Sequence, residues 1–261
     1  MLGALIGDIV GSPYEWRNHK SKNFPLFVRS SRMTDDSVLT AAVASALLMG
    51  GWREDLEQFK TDLIGELQAL GRHYVSVGYG PRFERWLLSD DPAPYQSFGN
   101  GSAMRVSPVA WAAGSIEECL ALAKASAEVT HDHPDGIAGA QAVAGAVYLA
   151  RTGADKAAIQ AHVEGYYPLD FTLDEIRREY KTDTSCAGSV PQAMQAFLES
   201  EDFEDALRGA VSIGGDSDTI ASMAGAVAGA FYGVPKEIRA EARRYIDGEV
   251  GNIYDRFALE F

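Results

Sequence analysis

With 46% hydrophobic residues in 261, the chain can bury a sizeable core, which excludes a disordered polymer. A net charge of −14 excludes a general nucleic-acid or anionic-membrane surface, because phosphate binding draws its affinity from clustered Lys and Arg. Only Cys119 and Cys186 are present, outside any CxxC or Cys/His pattern; this sets aside a disulfide framework and a structural zinc and points to a reducing, cytoplasmic setting.

The amino-terminal run from Met1 to Gly7 lacks a basic leader and is interrupted by Asp8, so it does not read as a secretory signal. No stretch reaches the roughly 18 uninterrupted apolar residues of a membrane span. Helical periodicity dominates the chain. The pattern predicts helices over 2–14, 35–50, 53–74, 101–112, 116–129, 135–152, 155–165, 173–180, 190–198, 203–212, 217–232 and 236–246. Leu56, Phe59, Leu63, Leu67 and Leu70 form one such face; Val190, Ala193, Met194, Phe197 and Leu198 form another. The weak strand candidates, 24–28 and 74–77, read as loops. Neither a 30- to 50-residue repeat nor a linker divides the chain. The expectation is one all-α domain, residues 1–261, of about a dozen helices.

Small residues recur at helical spacing: Gly3, Gly7 and Gly11, then Gly225 and Gly229, with Gly136, Ala140, Ala144 and Gly145 between. Gly costs about 1 kcal/mol against Ala in a helix interior. Its repetition therefore predicts closely packed helix backbones.

Two short acidic clusters lie far apart in the chain. Thr34, Asp35, Asp36 and Ser37 open one apolar helix; Gly214, Gly215, Asp216, Ser217, Asp218 and Thr219 open another. Each alone is compatible with ordinary helix capping. Together they deliver four carboxylates toward a protein interior with no Lys or Arg in either cluster, and buried charge must be compensated. Their hard oxygen donors suit Mg²⁺ or Mn²⁺ and not zinc, which predicts a site for two divalent cations. Two such ions can activate water and hold substrate oxygens. Asp8 and Glu15, at the two ends of the first small-residue helix, are candidates for moving protons.

A second feature is the glycine-rich turn Ser97, Phe98, Gly99, Asn100, Gly101 running into a helix, whose N–H groups can cradle a phosphate without positive charge. Phe98 is placed either to stack on a base or to enter the core. His131 and His133 form a close pair without a third nitrogen or sulfur ligand, which favours a pocket-lining or helix-terminus role over zinc. The acidic run 199–205 reads as a solvated loop and helix start.

Taken together, these segments resemble the ADP-ribosylglycohydrolase family, which includes dinitrogenase-reductase-activating glycohydrolases and ADP-ribosylserine hydrolases. The resemblance rests on Gly7-Asp8-Ile9-Val10-Gly11-Ser12-Pro13-Tyr14-Glu15, Thr34-Asp35-Asp36-Ser37, Gly99-Asn100-Gly101-Ser102-Ala103-Met104-Arg105, Thr130-His131 and the 214–219 cluster, in order along nearly the whole chain. It implies an orthogonal all-α bundle around a binuclear Mg²⁺ or Mn²⁺ centre. By the same resemblance, Thr34, Asp35, Asp36, Asp216, Asp218 and Thr219 are metal ligands, and Glu15 is a mobile glutamate that closes over the metals. Ser97, Phe98, Gly99, Asn100, Gly101 and His131 match positions that contact ADP-ribose.

The implied reaction is hydrolysis of an α-linked ADP-ribosyl bond on a protein side chain, nucleobase or small molecule. Glu15 would transfer the proton and Asp35 or Asp218 would orient the water. The alternatives are a non-catalytic ADP-ribose-binding protein, a toxin-neutralising interaction protein, and an Mg²⁺-dependent prenyl-diphosphate enzyme. The last normally uses a DDxxD array, which Asp35-Asp36-Ser37-Val38-Leu39 does not supply.

Overall fold

The computed structural model describes residues 1–261 and contains fifteen α-helices and no β-sheet. In chain order these begin with α1 (Leu2–Gly11), α2 (Asp35–Met49), α3 (Leu56–His73), α4 (Pro81–Leu87) and α5 (Gly101–Met104). The middle holds α6 (Val109–Ala112), α7 (Ile116–Glu128), α8 (Pro134–Arg151), α9 (Lys156–Glu164) and α10 (Leu173–Arg177). The chain ends with α11 (Cys186–Leu198), α12 (Phe203–Ser212), α13 (Ser217–Phe231), α14 (Lys236–Ala242) and α15 (Gly248–Glu260). Two short 3₁₀ turns lie at Glu15–Arg17 and Gly51–Arg53.

The glycine spacing explains the central contact. Helices α1 and α13 approach so closely that a Cβ at Gly3 would meet the Gly225 carbonyl oxygen at 2.0 Å, and one at Gly7 would meet that of Ala221 at 1.9 Å. One at Gly11 would lie 2.4 Å from the Ser217 oxygen. Every residue of α1 is buried, and so is α13 from Ser217 through Ala228. The first turn of α2 joins them, with Asp36, Ser37 and Thr40 all buried. The backbone contact thus carries the acidic 214–219 segment to the end of α1.

The surrounding helices are amphipathic. In α3 the buried residues are Phe59, Leu63, Leu67, Leu70 and Gly71, the face its periodicity predicts except for Leu56, which is exposed at the first turn. Burying each large apolar side chain contributes roughly 1.5–3 kcal/mol, an upper bound because unfolded chains are partly compact. Asp202 caps α12 by accepting from Asp205 N at 2.8 Å, so the acidic run is a loop and helix start, as its composition suggests.

Besides shifts of a few residues at helix ends, one predicted helix divides and two helices were not predicted. The single helix expected over 101–112 is two short helices, because Pro108 lacks an N–H and disfavours helical backbone at Ser107. Helix α4 was not predicted; seven residues are too few to display a period, although Pro81 occupies its first position. Helix α15 was also missed, although Val250, Ile253 and Phe257 bury one face and Asp247 caps it by accepting from Glu249 N at 2.8 Å.

Candidate active site

The site begins with a buried carboxylate on α1. Asp8 accepts from Thr34 N at 2.9 Å, Thr34 Oγ1 at 2.7 Å, Ser37 N at 3.1 Å and the Ser37 hydroxyl. These bonds satisfy free donors at the start of α2 and orient Thr34. Asp8 thereby anchors the first turn of α2. Thr34 is itself the cap of α2, accepting from Asp36 N at 3.4 Å, so capping and site-building coincide there.

Asp36 reaches across 183 residues of sequence: its Oδ2 accepts from Thr219 Oγ1 at 3.1 Å. Its Oδ1 is buried without any hydrogen-bond partner. Asp216 occupies the cap position of α13 but makes no capping bond with its side chain. Its Oδ2 instead accepts from Asn100 Nδ2 at 2.7 Å, which links the acidic cluster to the glycine-rich turn. The left-handed backbone that aims Asp216 comes from Gly214 (φ 71°) and Gly215 (φ 73°), and a Cβ on Gly214 would strike Asn18 Oδ1 at 2.2 Å.

Two carboxylate triads result, Asp8/Asp36/Asp218 and Glu15/Asp216/Asp218, each with ligand atoms within 4.8 Å of one another. Asp218 belongs to both. Asp35 stands outside both triads, half-buried on the cleft side of α2. None of these carboxylates is ion-paired with a Lys or Arg. Burial, then the neighbouring acids, pushes the pKa of Asp36 and Asp218 well above the ordinary carboxylate range. The same causes push Asp35 up to about 8. Burial and Asp216 raise Glu15, with Arg32 opposing.

The donor set fits divalent cations: only carboxylate and hydroxyl oxygens converge, one carboxylate oxygen is orphaned, and no Lys or Arg is ion-paired with the acids.

A cleft of about 770 Å³ opens above the acids. Glu15, Asp35, Asp36, Asp216, Asp218 and Thr219 line one side, while Ser97, Gly99, Asn100, Gly101 and His131 line another. Thr34 lies beneath the floor, buried against Asp8. Phe98 does not line the cleft; its ring is half exposed and meets His133 edge-on, with centroids 5.6 Å apart. His133 caps α8 by accepting from Asp135 N at 3.1 Å, the helix-terminus role expected for this pair.

Several lining residues escaped the sequence reading. Gly78 and Tyr79 come from the loop into α4 and Arg82 from its first turn, and Tyr95 lies under the Arg82 guanidinium at 4.8 Å. Trp16 stands at the mouth, 84% exposed. A large exposed aromatic directly after Glu15 was the available signal for Trp16; the α4 loop carried none beyond its glycines.

Comparison with known proteins places this arrangement. The chain is 26% identical to the ADP-ribosylhydrolase ARH3 of Bos taurus, over 96% of this chain and 89% of that protein. It is 27% identical to the ADP-ribosylarginine hydrolase Tri1 of Pseudomonas putida (strain GB-1), over 90% of this chain and 70% of that protein. A solved structure described as an ADP-ribosylglycohydrolase-related protein complex shares the fold, with a TM-score of 0.66 at 24% identity over 97% of this chain and 96% of that one. Fold and relatives together define an all-α hydrolase of ADP-ribosyl glycosidic bonds. The family model described as ADP-ribosylglycohydrolase matches residues 1–260, and the chain belongs to that family.

Proposed function

We propose that this chain reverses ADP-ribosylation by hydrolysing the α-glycosidic bond between ADP-ribose and a modified acceptor, in the cytoplasm, as a single domain over residues 1–261. The acceptor is a protein side chain, a nucleobase or a small molecule. The carrying observation is the meeting of Asp36 and Thr219 above an orphaned carboxylate oxygen, in the cleft that also presents the 97–101 turn.

Thr34, Asp35, Asp36, Asp216, Asp218 and Thr219 would hold two divalent cations, Mg²⁺ or Mn²⁺. When bound, these would supply Lewis-acid activation of water and a clamp on vicinal ribose hydroxyls. The protein's own contribution is positional and electrostatic. Asn100 fixes Asp216, Asp8 fixes Thr34, and the acidic floor stabilises the positive charge that develops at the anomeric carbon as its bond to the leaving nitrogen or oxygen breaks. Glu15, half-buried beside Asp216 and Asp218, delivers a proton to the leaving group. Asp35 or Asp218 orients the water whose oxygen bonds to that carbon. Ser97, Gly99, Asn100, Gly101 and His131 seat the ADP-ribose.

A panel of defined substrates tests this: ADP-ribosyl-Arg, ADP-ribosyl-Ser, a modified nucleobase and a small-molecule conjugate. Each is assayed with chelator and with Mg²⁺ or Mn²⁺ restored. Release of ADP-ribose from at least one, lost with chelator and recovered with metal, is expected. Release unaffected by chelator from every cleaved substrate contradicts the proposal.

A further inference from the structure

Arg105 is the largest fully buried side chain in the protein, and no carboxylate pairs with it. It lies at the C-terminal end of α5, in the break before α6. Its Nη2 donates to Ser126 O at 2.9 Å and to Thr130 Oγ1 at 2.8 Å. Thr130, also fully buried, places the same oxygen 2.7 Å from Nδ1 of His131.

The direction of these bonds follows from proton counting. A guanidinium only donates, so Thr130 Oγ1 accepts from Arg105. The hydroxyl has one hydrogen of its own, and its sole remaining partner is His131 Nδ1. A hydroxyl oxygen can accept twice, but a protonated Nδ1 would leave the buried Thr130 hydrogen without a partner; giving that hydrogen to Nδ1, which then carries a lone pair, satisfies both groups. A neutral imidazole accepting at Nδ1 bears its proton at Nε2. The Nε2 atom has no acceptor within the protein and faces the glycine turn, 3.1 Å from where a Gly101 Cβ would stand. Burial and the Arg105 and Arg82 charges hold the His131 pKa well below the usual imidazole value, so the ring does not gain a second proton.

We infer that Arg105 and Thr130 are positioning residues that lock His131 as the Nε2-protonated tautomer, so that it meets an oxygen of ADP-ribose as a hydrogen-bond donor. The identity of the ligand rests on the function proposed above; the tautomer does not. The glycines complete the device, because a side chain at Gly101 would cover the donor.

The test uses the full chain labelled with ¹⁵N at histidine, without ligand, with the His131 resonances assigned through His131→Gln. Long-range ¹H–¹⁵N correlation reports which ring nitrogen carries hydrogen. Wild type is expected to show a single Nε2–H form, Thr130→Val a mixture of tautomers, and Thr130→Ser the wild-type pattern. Calorimetric titration with ADP-ribose is expected to show affinity falling about 3- to 10-fold in Thr130→Val, the worth of one neutral hydrogen bond, and restored in Thr130→Ser. Arg105→Met, which frees the Thr130 hydroxyl to rotate, should also mix the tautomers; Thr130→Val carries the test alone if that variant does not fold. An Nδ1–H form in wild type, or an unchanged tautomer in Thr130→Val, overturns the inference. A wild-type Nε2–H form with no ADP-ribose binding upholds the lock and counts against the functional reading instead.

Discussion

Replacing Gly7 by Ala tests the helix contact that assembles the site. Gly7 has ordinary helical backbone, so propensity alone favours Ala by about 1 kcal/mol. The new Cβ, however, would lie 1.9 Å from the Ala221 carbonyl oxygen, 2.4 Å from its carbon and 2.7 Å from Ser222 N. All three are backbone atoms of α13 and cannot rotate aside. Reaching an ordinary contact of 3.4 Å requires α1 and α13 to separate locally by about 1.5 Å. Overpacking against rigid neighbours costs about 3 kcal/mol at the upper end of its usual range, leaving a net loss of about 2 kcal/mol. At about 2–4 °C per kcal/mol, the Tm falls by about 4–8 °C. Asp8 and Asp218 sit on the two separating helices, and a displacement near 1 Å is worth about 100-fold in rate. Gly65, exposed in α3 with nothing within 4 Å of its would-be Cβ, is the matched control. Gly65→Ala should raise the Tm by about 2–4 °C and leave activity unchanged. Calorimetric melting of both variants, with turnover measured alongside, decides the matter. A Gly7→Ala protein as stable as Gly65→Ala refutes the close-contact reasoning.

Three further outcomes are expected of the acidic site. Asp36→Asn removes a buried carboxyl that, without cations, must take up a proton to fold, so with chelator present at neutral pH its denaturation midpoint should equal or exceed that of wild type, while hydrolysis falls at least about 100-fold; a lower midpoint in chelator contradicts this. Without cations, the folded chain holds protons on Asp35, Asp36 and Asp218 that the unfolded chain releases near pH 4, so stability should fall as pH rises from there through the folded value, about 8 for Asp35. Urea midpoints at pH 5 and pH 8.5 in chelator measure this, and a midpoint that rises with pH is the contrary result. Asn100→Ala removes the 2.7 Å bond to Asp216 and should lower kcat/KM by about 10- to 100-fold without shifting the Tm by more than a few degrees; steady-state kinetics that match wild type would rule that bond out as a contributor.

Most helices with an apolar stripe of three turns or more were legible, as in α3 with Phe59, Leu63 and Leu67, although α15 was not. They were illegible where the element was too short to show a period, as in α4, or where one Pro divides a promising run, as at Pro108. The acidic clusters were legible as chemistry because no helix cap needs two acids and a Thr leading into an apolar interior, and Asp216 indeed does no capping. Their meeting was foreshadowed by the glycines, since Gly3, Gly7 and Gly11 serve no purpose in an isolated helix. What could not be read was the far wall of the cleft. Tyr79 and Tyr95 reach it from loops and Arg82 from the short α4, whose paths depend on long-range packing and leave no periodic trace in the chain. The four donors around Asp8 were hidden for a related reason: they come together only once α1 and the start of α2 are packed.

Diffraction from a crystal equilibrated with manganese, measured at an energy where manganese scatters anomalously, addresses the metal centre without any assay. Anomalous peaks between Asp36 and Asp218 and beside Asp216, within coordination distance of their oxygens, are the predicted result. A map that is featureless there while Asp36 Oδ1 stays unpartnered would contradict the account.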